Sequence, residues 1–222
     1  MEQPDILICA CAVRHLTDSV AVRSLAASAK AAGLTVEIIA DLCQAAEKAP
    51  ETVTGKIVAA CLPRAVQSLC YKAGHTPQQT IDLRTRPLSE ALQSLRIERG
   101  GDPDSISLPR YESEWVPWFP VIDRDRCTNC GKCVEFCMFG VYRFDSLVEV
   151  ALPENCKTDC PACARICPET AIIFPKHIKS PINGGLEQEE ETGLDPSVLY
   201  AQKDLYQKLA SRRQPNGNLT RE

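Results

Sequence analysis

Long apolar runs are missing from these 222 residues. No stretch approaches the 18 or more apolar residues that a spanning helix needs, so no membrane span is expected. A basic excess is missing too, with 25 Lys+Arg against 29 Asp+Glu and a formal charge of −4. The balance is even, at 12 basic and 14 acidic residues up to position 120, then 13 and 15. Nucleic-acid binding calls for a basic patch or stripe, and none is legible. The opening MEQPDILICACAVRH has acidic residues before a short apolar run and no basic n-region. No secretory signal is therefore expected, and the chain reads as cytoplasmic. No Gly-x-Gly-x-x-Gly fingerprint, phosphate loop or nucleophile–base set appears, which argues against independent catalysis. His15, His75 and His177 lack ligand spacing to one another, so surface or capping roles fit them best.

Cysteine, by contrast, is abundant at 13 residues. In a reducing compartment such a count points to metal ligation or redox chemistry rather than to a disulfide framework. Eight of the thiols fall into two runs. Cys127, Cys130, Cys133 and Cys137 are spaced C-x2-C-x2-C-x3-C. Cys156, Cys160, Cys163 and Cys167 are spaced C-x3-C-x2-C-x3-C and are followed by Pro168. Short loops of this kind let successive thiolates hold corners of one iron–sulfur cube, and Gly131 suits a turn that needs φ > 0. The competing reading is a zinc module of C-x2-C pairs, which uses four ligands per metal without an interlocked fourth cysteine.

Residues 121–175 resemble the bacterial two-cluster ferredoxins. That resemblance implies an α+β domain in which Cys127, Cys130, Cys133 and Cys167 hold one [4Fe–4S] cluster. It implies that Cys156, Cys160, Cys163 and Cys137 hold the other. PETAIIF (168–174) matches the returning strand of that family. Two departures stand out: Met138 replaces the usual proline after the first run, and the second run opens with a spacing of three rather than two.

Upstream, strand and helix signals alternate. The runs 5–11, 35–43, 55–63 and 79–84 read as strands. Residues 18–33, 64–74 and 88–99 read as helices, with Asp18 as an N-cap and Gly33 as a stop. Such alternation predicts a small parallel sheet covered on both faces. The expected organisation is an α/β domain over 1–100, a linker over 101–120, the two-cluster domain over 121–180 and a flexible tail over 181–222. Trp115, Trp118 and Phe119 are expected to pack the linker onto one domain, and residues 195–213 have the pattern of a short amphipathic helix.

On this reading Cys9 and Cys11 end the first strand, Cys43 the second and Cys61 the third. The carboxyl ends of parallel strands share one edge, where open α/β sheets bind ligands. Four thiols would converge there as a third metal site, either a further [4Fe–4S] cluster or zinc, unless they are simply buried small hydrophobes. Cys70 lies within a predicted helix and reads as packing. Arg64 reads either as a counter-charge to these thiols or as a surface residue. ILICACAVRH, IIADLC and IVAACLPR, followed by LCYKAG, are similar to the N-terminal domain of the A-type proteins of heterodisulfide reductase. The resemblance spans about residues 5–95 and implies a possible cluster site. IDLRTRP departs from that family's pattern, and without a flavin fingerprint no flavin chemistry is carried over.

The expected function is iron–sulfur electron transfer, as a relay subunit for a catalytic oxidoreductase partner. The rival is a disulfide-type oxidoreductase using the N-terminal thiols. A redox sensor has no positive signature.

Overall fold

A computed structural model describes residues 3–186 of the chain. The first half builds four parallel strands: β1 (Ile6–Cys9), β2 (Val36–Ile39), β3 (Ile57–Ala60) and β4 (Gln79–Asp82), in the order β2-β1-β3-β4. β1 is central and buried at all four positions, which is why it reads as a continuous apolar run rather than an alternating one. Its side chains still alternate between faces. Ile6 and Ile8 join α1 (Ser19–Ala31) and α4 (Leu88–Leu95) in one core layer, through Val22, Leu25, Ala29 and Leu92. Leu7 and Cys9 point the other way, into a layer made with α2 (Leu42–Lys48) and α3 (Pro63–Lys72). The parallel sheet covered on both faces is therefore present.

Two boundaries differ from expectation. The run 35–43 ends as a strand at Ile39, because the Asp41 side chain accepts the Gln44 N–H and starts α2. Cys43 consequently sits in the first turn of α2, not at a strand end. The helix expected over 88–99 stops at Leu95, where Arg96 takes a left-handed conformation with φ 55°.

The second half is two similar passages of chain. The first runs from β5 (Val121–Ile122) through α5 (Lys132–Phe136) to β6 (Tyr142–Phe144). The second runs from β7 (Val148–Val150) through α6 (Ala162–Ile166) to β8 (Ile172–Ile173). The outer strands β5 and β8 pair antiparallel, and so do the inner strands β6 and β7.

The segment expected as a linker is packed along its length. A turn at Pro103–Ser105 lies against α1, and Ile106 is buried. Gly101, at φ +70°, approaches α1 so closely that an added Cβ would sit 2.6 Å from the Ala27 carbonyl oxygen. The aromatics do not share one domain. Trp115 stacks on Phe119 against the α2/α3 layer, while Trp118 stacks on Phe174 in the core of the second half. Phe119, Val121 and Ile173 also complete the α2/α3 layer, so one hydrophobic cluster belongs to both halves. Contact density accordingly groups the chain through Leu186 into one unit. Residues 181–186, expected as the start of the tail, fold back: Phe174 donates its N–H to the Ile182 carbonyl at 2.7 Å and Asn183 is buried. The expected helix at 195–213 lies outside the described residues.

Arg64, in the first turn of α3, is neither a counter-charge to the thiols nor a surface residue. Its Nε donates to Asp123 Oδ2 at 2.6 Å and its Nη2 to the Thr170 carbonyl at 2.6 Å, joining the halves. Both partners of the ion pair are largely buried. Charge-assisted hydrogen bonds of this kind each contribute about 1.5–3 kcal/mol. Arg64→Ala should therefore lower unfolding free energy by roughly 2–3 kcal/mol in a denaturant titration. An unchanged midpoint would show that the apolar contact alone joins the halves.

Candidate functional site

Twelve of the thirteen cysteines surround three cavities. The first cavity is lined by Cys127, Cys130 and Cys133 from one run and by Cys167 from the other. Cys133 lies in α5, and Cys167 is the residue that ends α6. Asn129 (φ 56°) and Gly131 (φ 76°) take left-handed conformations on either side of Cys130, turning the loop back on itself. Asn129 Oδ1 accepts the Val148 N–H at 3.1 Å, which ties that loop to β7. Cys167 Sγ accepts the Ala171 N–H at 3.3 Å. Burial pushes the Cys133 thiol up to about 11.

The second cavity has the reciprocal composition. Cys156, Cys160 and Cys163 come from the second run and Cys137 from the first. Pro120, Phe136, Met138, Phe139 and Val141 add apolar walls, and the Tyr142 hydroxyl donates to Cys163 Sγ at 3.1 Å. Burial raises Cys156 to about 12 and Cys163 to about 11.

The longer first spacing of the second run is absorbed locally. Asp159 (φ 62°) directly precedes Cys160 just as Asn129 precedes Cys130. Gly140 (φ 65°) and Thr170 (φ 48°) likewise stand three residues after Cys137 and Cys167. The added residue therefore falls before the shared left-handed turn and leaves that turn in place.

The third cavity gathers Cys9, Cys11, Cys43 and Cys61 at the carboxyl edge of the sheet. Cys9 closes β1, Cys11 follows two residues on with φ 49°, Cys61 follows β3 directly and Cys43 arrives on α2. Cys9 Sγ accepts two backbone N–H groups, from Cys11 at 3.3 Å and from Leu42 at 3.2 Å. Asp41 and Lys176 complete the lining, with Lys176 Nζ donating to Asp41 Oδ2. Burial pushes Cys9 and Cys43 well above the ordinary thiol range and Cys61 up to about 12. Such thiols are not reactive thiolates by themselves; deprotonation here needs a positive charge among the sulfurs. Among the described residues, no three His, Cys, Asp or Glu side chains close on a point that would hold a single ion. Each set of four thiols lines one cavity.

Cys70 is buried in the α2/α3 layer and lines none of the three cavities. His15, His75 and His177 line none of them either. His75 Nε2 instead lies 2.9 Å from the Gly55 carbonyl oxygen. Sequence reasoning missed Asp41 and Lys176. Asp41 carried a signal, as a helix cap three residues before Gln44. Lys176 carried none, since it meets Asp41 across 135 positions.

Comparison with known proteins agrees with the cysteine pattern. Residues 119–142 match a family described as a 4Fe–4S binding domain. The chain is 47% identical over 62 residues to an uncharacterized ferredoxin of Methanocaldococcus jannaschii. That match covers 27% of this chain and 42% of the relative, so the chain spans less than half of that protein's length. It is 37% identical over 75 residues to Ferredoxin-3 of Nostoc sp., covering 25% of this chain and 76% of the relative. These matches lend no support to the resemblance of residues 5–95 to the A-type proteins of heterodisulfide reductase.

The Lys176–Asp41 pair is almost fully buried, at 3% and 1% side-chain exposure. Removing one member of a buried pair strands the other charge and costs about 3–5 kcal/mol. Asp41→Ala also loses the α2 cap, worth about 1 kcal/mol. Unfolding of Asp41→Ala should thus show a loss of roughly 4 kcal/mol or more. A loss near the cap value alone would mean that Lys176 finds water.

Proposed function

This chain belongs to the ferredoxins, and we propose that it relays electrons for a catalytic oxidoreductase partner. It is an iron–sulfur electron-transfer protein; the relay, the number of clusters and their ligands are our reading. In that reading Cys127, Cys130, Cys133 and Cys167 hold one [4Fe–4S] cluster, and Cys156, Cys160, Cys163 and Cys137 hold a second. The observation that carries it is the exchange of fourth cysteines between the two cavities. Cys9, Cys11, Cys43 and Cys61 hold a third cluster, supported by four thiols around one volume and by the two amides directed at Cys9 Sγ.

When bound, such clusters supply one-electron oxidation and reduction. The chain's own residues do the rest. Amide N–H groups on Cys9 and Cys167, and the Tyr142 hydroxyl on Cys163, favour the anionic form of each sulfur. Apolar side chains line the second cavity, and the strongly exposed Met138 beside it suits contact with a redox partner protein. No helix among the described residues is long and apolar enough to cross a membrane. A cytoplasmic setting belongs to the same proposal. The disulfide-reductase alternative would need a thiol with a lowered pKa, and burial moves Cys9, Cys43 and Cys61 the other way.

Anaerobic reconstitution followed by iron and acid-labile sulfide analysis counts the clusters. The full chain should hold about twelve irons, and Cys61→Ala about eight. Cys137→Ala should damage the cluster of the second run more than that of the first. Equal iron in the full chain and Cys61→Ala removes the third cluster, whereas metal without labile sulfide indicates zinc. Spectroscopy placing the Cys137→Ala loss wholly in the first-run cluster would refute the crossed assignment.

The chemically reduced chain should pass electrons to a one-electron acceptor yet leave a small aromatic disulfide essentially unreduced. Fast disulfide reduction that disappears in Cys9→Ser/Cys11→Ser would reverse this reading in favour of the oxidoreductase.

A further inference from the structure

Among the described residues, Lys176 is the only lysine or arginine that is almost completely buried, and it is buried beside the upstream cysteines. It comes from the other half of the chain, three residues beyond the end of β8. Its backbone is held on both sides: Arg84 donates to the Pro175 carbonyl at 3.0 Å and to the His177 carbonyl at 2.7 Å. The ammonium then bonds to Asp41, whose other oxygen is already engaged by the Gln44 N–H.

Stability does not account for this arrangement. A buried ion pair usually contributes no more than apolar residues of the same volume would. The geometry makes sense if the cavity receives further negative charge. Four thiolates around an iron–sulfur cube form a net anion, and each electron accepted adds to it. Potentials of such clusters depend on net charge, hydrogen bonds to sulfur and exposure.

We propose that Lys176 is a positioning residue that supplies the counter-charge of the upstream cluster. It holds that cluster's reduction potential above the value the same four cysteines would give alone. One-electron transfer from a reduced cluster of the second half to the oxidised upstream cluster is thereby favoured. The inference rests on the third-cluster reading above. It also makes the upstream site a joint product of both halves, because Pro175 and Lys176 close its cavity.

The test reconstitutes the full chain anaerobically as wild type, Lys176→Met, Lys176→Arg and the double variant Asp41→Asn/Lys176→Met. Iron and labile sulfide are measured, and each cluster's midpoint potential is followed by electron paramagnetic resonance. The double variant removes the ammonium and the carboxylate together, so comparing it with Lys176→Met separates loss of the ammonium from the effect of an orphaned carboxylate. One of three potentials should fall in Lys176→Met, fall less in the double variant, stay near wild type in Lys176→Arg, and leave the other two unmoved. Selective loss of about four irons in Lys176→Met, with retention in Lys176→Arg, would also uphold the role. Three unchanged potentials at full iron content would overturn it. So would equal loss of upstream iron in the Met and Arg variants, which would assign Lys176 to space-filling alone. Wild type holding only about eight irons would refute the third cluster itself, before any substitution is compared, and this role with it.

Discussion

Placing many thiols where water is scarce is the constraint on which the rest of this structure depends. Burial alone favours the protonated thiol, and it pushes Cys9, Cys43, Cys61, Cys133, Cys156 and Cys163 upward. Thiolates become tenable only where positive charge and hydrogen-bond donors meet them. The local architecture supplies donors at several of these positions: backbone amides at Cys9 and Cys167, and a phenol at Cys163. The left-handed residues Asn129, Gly131 and Asp159 turn the cysteine loops so that successive sulfurs face one volume.

The same constraint explains why the two halves are not independent beads. The α/β half leaves its α2/α3 face incomplete, and Phe119, Val121 and Ile173 fill it. Several polar links then fix the angle of contact. Arg64 reaches Asp123, Arg14 reaches Asp159, Lys48 reaches Glu154, and Lys176 reaches Asp41. Two of these, at Glu154 and Asp159, grip the loop that carries Cys156 and Cys160. Arg14 and Lys48 also lie over the Trp118 and Trp115 rings, so each tryptophan of the connecting segment contributes to the contact. Exposed pairs such as Lys48–Glu154 contribute little energy, but they orient; the buried apolar layer supplies most of the stabilisation.

Much of this is legible in residue order. Spacing within each cysteine run is local, and local spacing determines which sulfurs share a turn. Hydrophobic periodicity indicates the parallel sheet, and the position of Cys9, Cys11 and Cys61 at its carboxyl edge follows from topology. The differences have physical causes. Apolar residues run up to Cys43 and suggest a strand, whereas the Asp41 cap begins a helix first. Residues 101–120 and 181–186 read as linker and tail because they lack periodicity. Their burial comes from irregular contacts, such as Trp118 on Phe174 and Phe174 with Ile182, that no period encodes.

By itself the sequence determined the two cysteine runs and the α/β pattern ahead of them, because each depends on near neighbours along the chain. Only tertiary structure decided that Arg64 joins the halves and that Lys176 enters the upstream cysteine site. These are meetings of groups many positions apart, Lys176 and Asp41 across 135 of them. Burial then gives such meetings their energetic weight, since a charge removed from water must find its partner wherever the fold brings one.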